Sequence, residues 1–131
     1  MTDRKTTFPF HKGWLIAWLV SLGTVLTLTH IPQAAMPEFL SEHMLDKIEH
    51  VLAYGLIAFL FLLSLPEGSR PTTFVIGLVG LAVIGAVDEI TQPFVNRVAS
   101  VGDYAADVIG ILLAVAIFLV KRRFRFDTTS L

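Results

Sequence analysis

The sequence predicts an all-α integral membrane protein, a single domain in which four helices form a bundle with both termini cytoplasmic. Three observations predict it. The chain of 131 residues is 54% hydrophobic and only 16% charged, where soluble domains average roughly 45–50% apolar and about 25% charged. Its mean hydropathy is +0.71. Its apolar residues are gathered into four long blocks, which a soluble core would not require, and its lysines and arginines fall mainly to one side of those blocks. The length fits one domain. With no cysteine there is neither a disulfide nor a thiolate metal site. A net charge of −1 gives no case for nucleic acid.

A helical span needs about 20 mostly apolar residues. The first block is GWLIAWLVSLGTVLTLTH, residues 13–30, followed by a loop marked by Pro32 and Pro37. Arg4, Lys5 and Lys12 precede it and PQAAM follows it, as in a signal peptide. That reading would leave an odd number of spans and no soluble domain to export. Trp14 and Trp18 are expected as interface anchors on a lipid-facing surface. The second block is DKIEHVLAYGLIAFLFLLSL, 46–65, preceded by His43 in the loop; Pro66, Glu67, Gly68 and Pro71 mark the turn after it. The third is TTFVIGLVGLAVIGAVDEIT, 72–91, and the fourth is VGDYAADVIGILLAVAIFLV, 101–120. Phe59, Phe61 and Phe118 are expected to pack or face lipid. The last three blocks reach spanning length only with their polar ends included, which places Asp46, Glu49, His50, Asp88, Glu89, Asp103 and Asp107 inside the spans or at their rims.

Lysine and arginine set orientation. Arg4, Lys5 and Lys12 precede the first span, Arg70 sits in the middle turn, and Lys121, Arg122, Arg123 and Arg125 follow the fourth span. Only Lys47 and Arg97 fall on the other side, together with most of the acids, Glu38 and Glu42 among them. The terminal KRRFRF reads as a topology signal and a contact for anionic lipid. Cytoplasmic termini then place the polar ends of the last three spans at one outer level.

On a helix, residues four apart are neighbours. Asp46, His50 and Tyr54 form one stripe, Asp88 and Gln92 a second if the helix runs to the residue before Pro93, and Asp103 and Asp107 a third. Gly102, Ala106, Gly110 and Ala114 make a small-residue stripe beside the third, which lets helices approach closely. Gly77, Gly80 and Gly85 give the third helix similar room. Charge in lipid is costly, about 2.5–3.5 kcal/mol per group on insertion scales, so these groups should face the bundle interior or a wet cleft. Arg97 and then Lys47 are the expected partners of the acids. His50, set among Asp46, Asp88 and Asp107, is placed to carry a proton. Ser100 and Asp103 read as a helix N-cap.

DKIEHVLAYGLIAFL and DEITQPFVNRVASVGDYAADVIG resemble the two signatures of the VanZ-like membrane proteins, roughly D-K-x-x-H-x-x-x-Y and D-E-x-x-Q-x-F-x-x-x-R-x-x-S-x-x-D followed by an Asn and a Gly. Asp46, Lys47, His50 and Tyr54 match the first. Asp88, Glu89, Gln92, Phe94, Arg97, Ser100, Asp103 and Gly110 match the second. Asp107 stands where the family usually has Asn, and Asn96 where a Gly before the Arg is common. The resemblance covers about 46–110. It implies a small membrane protein in a family whose founding member is linked to low-level teicoplanin resistance.

The polar residues admit three uses: capping and hydrogen bonding that fix the fold, a cleft that binds a headgroup or sugar–peptide at the outer leaflet, or acid–base or metal-assisted hydrolysis. The site expected to bind ligand comprises Asp46, His50, Tyr54, Asp88, Glu89, Gln92, Arg97, Ser100, Asp103 and Asp107, with Arg97 holding an anionic group. Membrane lipids and an anionic cell-envelope ligand are the expected partners, and the cell membrane the expected location. Oxygen ligands suit Mg2+ or Mn2+, but no H-x-x-x-H or H-E-x-x-H spacing occurs, so neither metal nor cofactor is expected. No serine-nucleophile motif or glycine-rich phosphate loop is present.

Overall fold

The computed structural model describes residues 10–32, 35 and 43–127. The expectations for Arg4, Lys5, Pro37, Glu38 and Glu42 lie outside the described residues. The described chain forms four helices: α1 Lys12–Thr29, α2 His43–Ser64, α3 Pro71–Thr91 and α4 Val101–Asp127. His43 therefore opens α2 and is not in the loop before it. The basic run Lys121–Arg123 continues α4 past the expected end, as residues of good helix propensity allow.

Proline and glycine set the boundaries. Between α2 and α3 the chain turns at Gly68, whose φ of +84° costs a glycine little. Ser69 closes this turn by donating its Oγ hydrogen to the Pro66 carbonyl at 2.8 Å. Pro71 starts α3, where its missing N–H costs no helical hydrogen bond. At the other end Pro93 cannot donate to the ladder, and the chain tightens into a single 3-10 turn, Gln92–Val95. Gln92 still donates its N–H to the Asp88 carbonyl, so the expected Asp88–Gln92 stripe survives. Asn96 follows at φ 59° in the left-handed region, which asparagine tolerates better than most residues. Ser100 then caps α4, accepting the Asp103 N–H on its Oγ at 3.3 Å.

α2 is the centre of the bundle. It packs most extensively on α4 and next on α1, while α3 packs on α4. The α2–α4 seam closes at Gly110, where an added Cβ would overlap the Val51 carbonyl and lie 2.9 Å from the Gly55 nitrogen. Ala106 and Ala114, one turn either side, are buried, so the small-residue stripe is the contact line. Below it Ile57, Ala58, Phe61, Leu62, Ile111 and Leu81 form the apolar core.

α1 lies at the edge and has no fully buried residue. Its N-terminal end is tied to the end of α2 through the His11 N–H and the Ser64 carbonyl at 2.8 Å. Trp14 is exposed, as an interface anchor would be. Trp18 is not lipid-facing in the same way, since its half-buried ring packs on Phe61 with centroids 5.6 Å apart. Phe118 stacks at a tilt on Phe74 at 6.3 Å, and Lys121 Nζ lies 5.7 Å from the centre of the Phe59 ring.

Large apolar side chains point outward from every helix, among them Val20, Leu52, Ile76, Ile90, Leu112 and Ile117. So much exposed apolar surface marks a lipid-facing protein. The segments Lys12–Thr29, Leu45–Ser64, Pro71–Val95 and Val101–Arg123 are each long and apolar enough to cross a bilayer. The chain is a multi-pass membrane protein.

Candidate functional site

The start of α2, the end of α3, the start of α4 and the end of α1 meet at one end of the bundle, and polar residues concentrate there. His50 sits one turn below Asp46 on α2 and is 5% exposed. Its Nδ1 pairs with Asp107 Oδ1 of α4 at 2.8 Å. Its Nε2 faces Glu89 Oε1 of α3 at 3.9 Å, beyond hydrogen-bond reach. Glu89 is held from behind: Gln92 Nε2 donates to Oε1 at 3.0 Å and the Ser100 N–H donates to Oε2 at 2.8 Å.

The permanent cations stand around this buried triad. Lys47 Nζ donates to Asp103 Oδ1 at 2.9 Å. Arg97 bridges two elements, donating from Nη2 to Asp46 Oδ1 at 3.4 Å and from Nη1 to the Thr29 carbonyl at 3.2 Å. The expected partnership of Arg97 and Lys47 with the acids is thus resolved into two specific pairs, one on each carboxylate nearest the rim.

Asp88 faces the other way, toward α1. Its Oδ1 accepts the Thr29 hydroxyl at 2.8 Å and lies 3.3 Å from His30 Nδ1. His30 Nε2 pairs with Thr91 Oγ1 at 3.0 Å. Thr29, His30 and Thr91 also belong to this candidate site, although the sequence does not mark them. Their signal was position alone: they end spans at the same level as the acids, but they read there as ordinary polar boundaries of apolar blocks.

Among the described residues, four side-chain polar atoms are buried without a hydrogen-bond partner: Trp18 Nε1 away from this end, and Tyr54 Oη, Asp88 Oδ2 and Asp107 Oδ2 at it. A buried polar atom left unpaired costs about 1–3 kcal/mol, more if charged. Tyr54 and Asp107 are both fully inaccessible and meet at Gly85. An added Cβ there would lie 3.0 Å from Asp107 Oδ2 and 3.2 Å from the Tyr54 ring. Glycine at 85 is what allows both side chains into the same space.

Between α1 and α3 an open crevice of about 490 Å³ leads to this end, lined by Leu26, Val83, Ile84 and Val87 below and by His30, Asp88 and Thr91 above. At the opposite end of the bundle a larger cavity of about 660 Å³ is lined by Trp14, Leu62, Phe74, Phe118, Lys121 and Arg122, among others.

All ten sequence-predicted site residues gather at the polar end. His50, Glu89 and Asp107 form its buried centre with Tyr54 and Gln92 beside them. Asp46, Arg97, Ser100 and Asp103 form the rim, and Asp88 looks onto the crevice. This arrangement defines a class: a four-helix multi-pass membrane protein with a desolvated acid–histidine site at one end of the bundle. No protein-family model, curated protein or solved structure matches the chain.

Proposed function

We propose that the protein is a VanZ-like protein of the cell membrane, with both termini cytoplasmic, that recognises an amphiphilic cell-envelope ligand at the outer-leaflet level. The ligand class is an envelope lipid, lipid-linked precursor or glycopeptide-related molecule with a polar head. The observation that carries this reading is the crevice between α1 and α3. Its apolar wall of Leu26, Val83, Ile84 and Val87 suits an acyl or prenyl chain, and its polar end at His30, Asp88 and Thr91 suits a headgroup. Asp88 Oδ2 is buried and unpartnered beside this end, and a small parting of α1 from α3 would present it as an acceptor to a hydroxyl or amide of that head. Arg97 spends two donors on protein partners; a guanidinium has five, and the remainder serve an anionic group on the ligand. The resemblance of 46–110 to the VanZ-like signatures supports the same setting.

The reading is tested with full-length protein in nanodiscs and a lipid extract of the envelope. Val87→Trp narrows the crevice without touching the buried triad. Retained lipids should fall in Val87→Trp and in Asp88→Asn, while both variants keep their helical signal. Lipid retention equal to wild type in both would remove the crevice from function. The envelope lipids of a deletion strain should show which species accumulates.

A second reading, a lipid-processing hydrolase, is favoured by one contact. Asp107 holds His50 through Nδ1, which orients the ring and leaves Nε2, 3.9 Å from Glu89 and without a hydrogen bond to it, free to take a proton as a general base does. His50→Gln should then abolish turnover and leave ligand retention unchanged.

A further inference from the structure

We infer that His50, Glu89 and Asp107 form a binding site for a divalent cation of the Mn2+ or Zn2+ class, inside the bundle between α2, α3 and α4. The inference stands independently of the envelope ligand proposed above.

The first argument is geometric. One nitrogen of His50 and one oxygen from each of Glu89 and Asp107 lie within 4.8 Å of one another, and all three residues are buried. Ligands about 2.0–2.2 Å from a tetrahedral ion stand about 3.4 Å apart. His50 meets Asp107 through Nδ1 at 2.8 Å and faces Glu89 through Nε2 at 3.9 Å, so a single ion on all three requires the imidazole to turn and give up its hydrogen bond to Asp107.

The second argument is the unpartnered atoms. Asp107 Oδ2 and Tyr54 Oη are both buried without a hydrogen-bond partner among the described residues, and Asp107 Oδ2 and the Tyr54 ring both lie beside Gly85. A cation bound beside them gives Asp107 its missing partner. A water on that cation gives the Tyr54 hydroxyl one.

The third argument is charge. Lys47 and Arg97 are engaged with Asp103 and Asp46 at the rim. Two carboxylates and an imidazole are left to share the interior, where an uncompensated charge is expensive. A divalent ion neutralises both acids. The same pairs set this triad apart from the overlapping group Asp46, His50 and Asp103, whose acids already have cations. The surroundings also resemble a metal site's outer layer: Glu89 is oriented by Gln92 Nε2 and the Ser100 N–H, as ligating carboxylates usually are. Imidazole with carboxylate oxygens suits Mn2+ and Zn2+ better than a purely oxygen-liganded ion would require.

The test uses full-length protein in nanodiscs, stripped with chelator and dialysed against Mn2+ or Zn2+ alone. One ion per chain is expected. His50→Gln and Glu89→Gln, close in size to the residues they replace, should lose stoichiometric binding. Asp46→Asn should keep it. In case the variants fold poorly, pulsed electron paramagnetic resonance of Mn2+-loaded wild-type protein should show a single coordinated imidazole nitrogen. No stoichiometric uptake of either ion by folded wild-type protein, or no nitrogen on the bound Mn2+, overturns the proposal. So does wild-type affinity in folded Glu89→Gln, and loss of binding in Asp46→Asn with retention in Glu89→Gln would move the site to the other triad and overturn this one.

Discussion

His50 on α2 and Asp107 on α4 are 57 positions apart in sequence and meet at 2.8 Å between Nδ1 and Oδ1, both buried. The contact lies on the same side of α4 as Ala106 and Gly110, where the two helices touch most closely. A donor and acceptor at this depth cannot exchange their bond for one to water. Inside a membrane bundle such a contact is worth about 0.6–2 kcal/mol, and an ionised partner pushes it toward the upper end. The double-mutant cycle of His50→Gln and Asp107→Asn, read from unfolding in mixed detergent, should give a coupling energy of about 1–2 kcal/mol. Additive effects of the two substitutions would show that the pair is adjacent without being coupled.

Much of this was legible in the chain. Block length and polar rims gave four helices, and the four-residue steps placed Asp46, His50 and Tyr54 on one face and Asp103 and Asp107 on another. Those faces could be assigned because α-helical period is local. Which acid met which cation was not legible, because Lys47–Asp103 and Arg97–Asp46 depend on the rotation of α2 against α4 and on the course of the loop after Asn96. Asn96 shows the limit from the other side: its left-handed φ of 59° is set by the turn after Pro93 and is not announced by the residue itself. His30 was hidden for a similar reason. Its partners, Asp88 and Thr91, lie about sixty positions away, and nothing local to α1 announces them.

Orientation has its own test. Four antiparallel spans put both ends of the bundle's chain on one side, and the cationic residues Lys12, Arg70, Lys121, Arg122 and Arg123 share that side. Reporter fusions after Gly68 and after Arg123 should report the cytoplasm, and one within 33–42 the exterior. An exterior reading at Gly68 would place the acid–histidine site at the cytoplasmic face and end its proposed role at the outer leaflet.

The C-terminal end of α1 should come loose before the rest of the bundle. α1 buries no residue fully, so at this end it relies on Arg97 to the Thr29 carbonyl, Thr29 to Asp88 and His30 to Thr91. Arg97→Ala removes the bond to Thr29 and the partner of Asp46 together, at about 1–3 kcal/mol for hydrogen bonds to a charged group. Arg97→Lys keeps the charge but not a planar fork that can reach α1 and α2 at once, so it should recover only the Asp46 share. Melting of the two variants beside wild type should fall in the order wild type, Lys, Ala. A Lys variant that melts with wild type and keeps full ligand retention would mean that charge alone is needed at position 97.

The α2–α4 seam offers a graded test, because its glycines, Gly110 and Gly55, meet different surroundings and Gly80 of α3 lies in open space for comparison. At Gly110 an added methyl would run into the Val51 carbonyl, a backbone atom that cannot swing aside. At Gly55 it would lie 3.3 Å from the Gly110 carbonyl oxygen, tight but open to a small adjustment. At Gly80 it would meet nothing within 4 Å. Alanine in a helix gains roughly 0.5–1 kcal/mol over glycine, while overpacking a filled contact costs about 1–3 kcal/mol. Gly80→Ala should therefore be neutral or stabilising, Gly55→Ala slightly unfavourable, and Gly110→Ala the most damaging of the three. Because His50 and Asp107 straddle this seam, Gly110→Ala should also weaken their coupling, which the same double-mutant cycle in that background would read. If all three alanines raise the melting temperature alike, helix propensity outweighs contact, and α2 and α4 do not meet at Gly110 as closely as the structure has them.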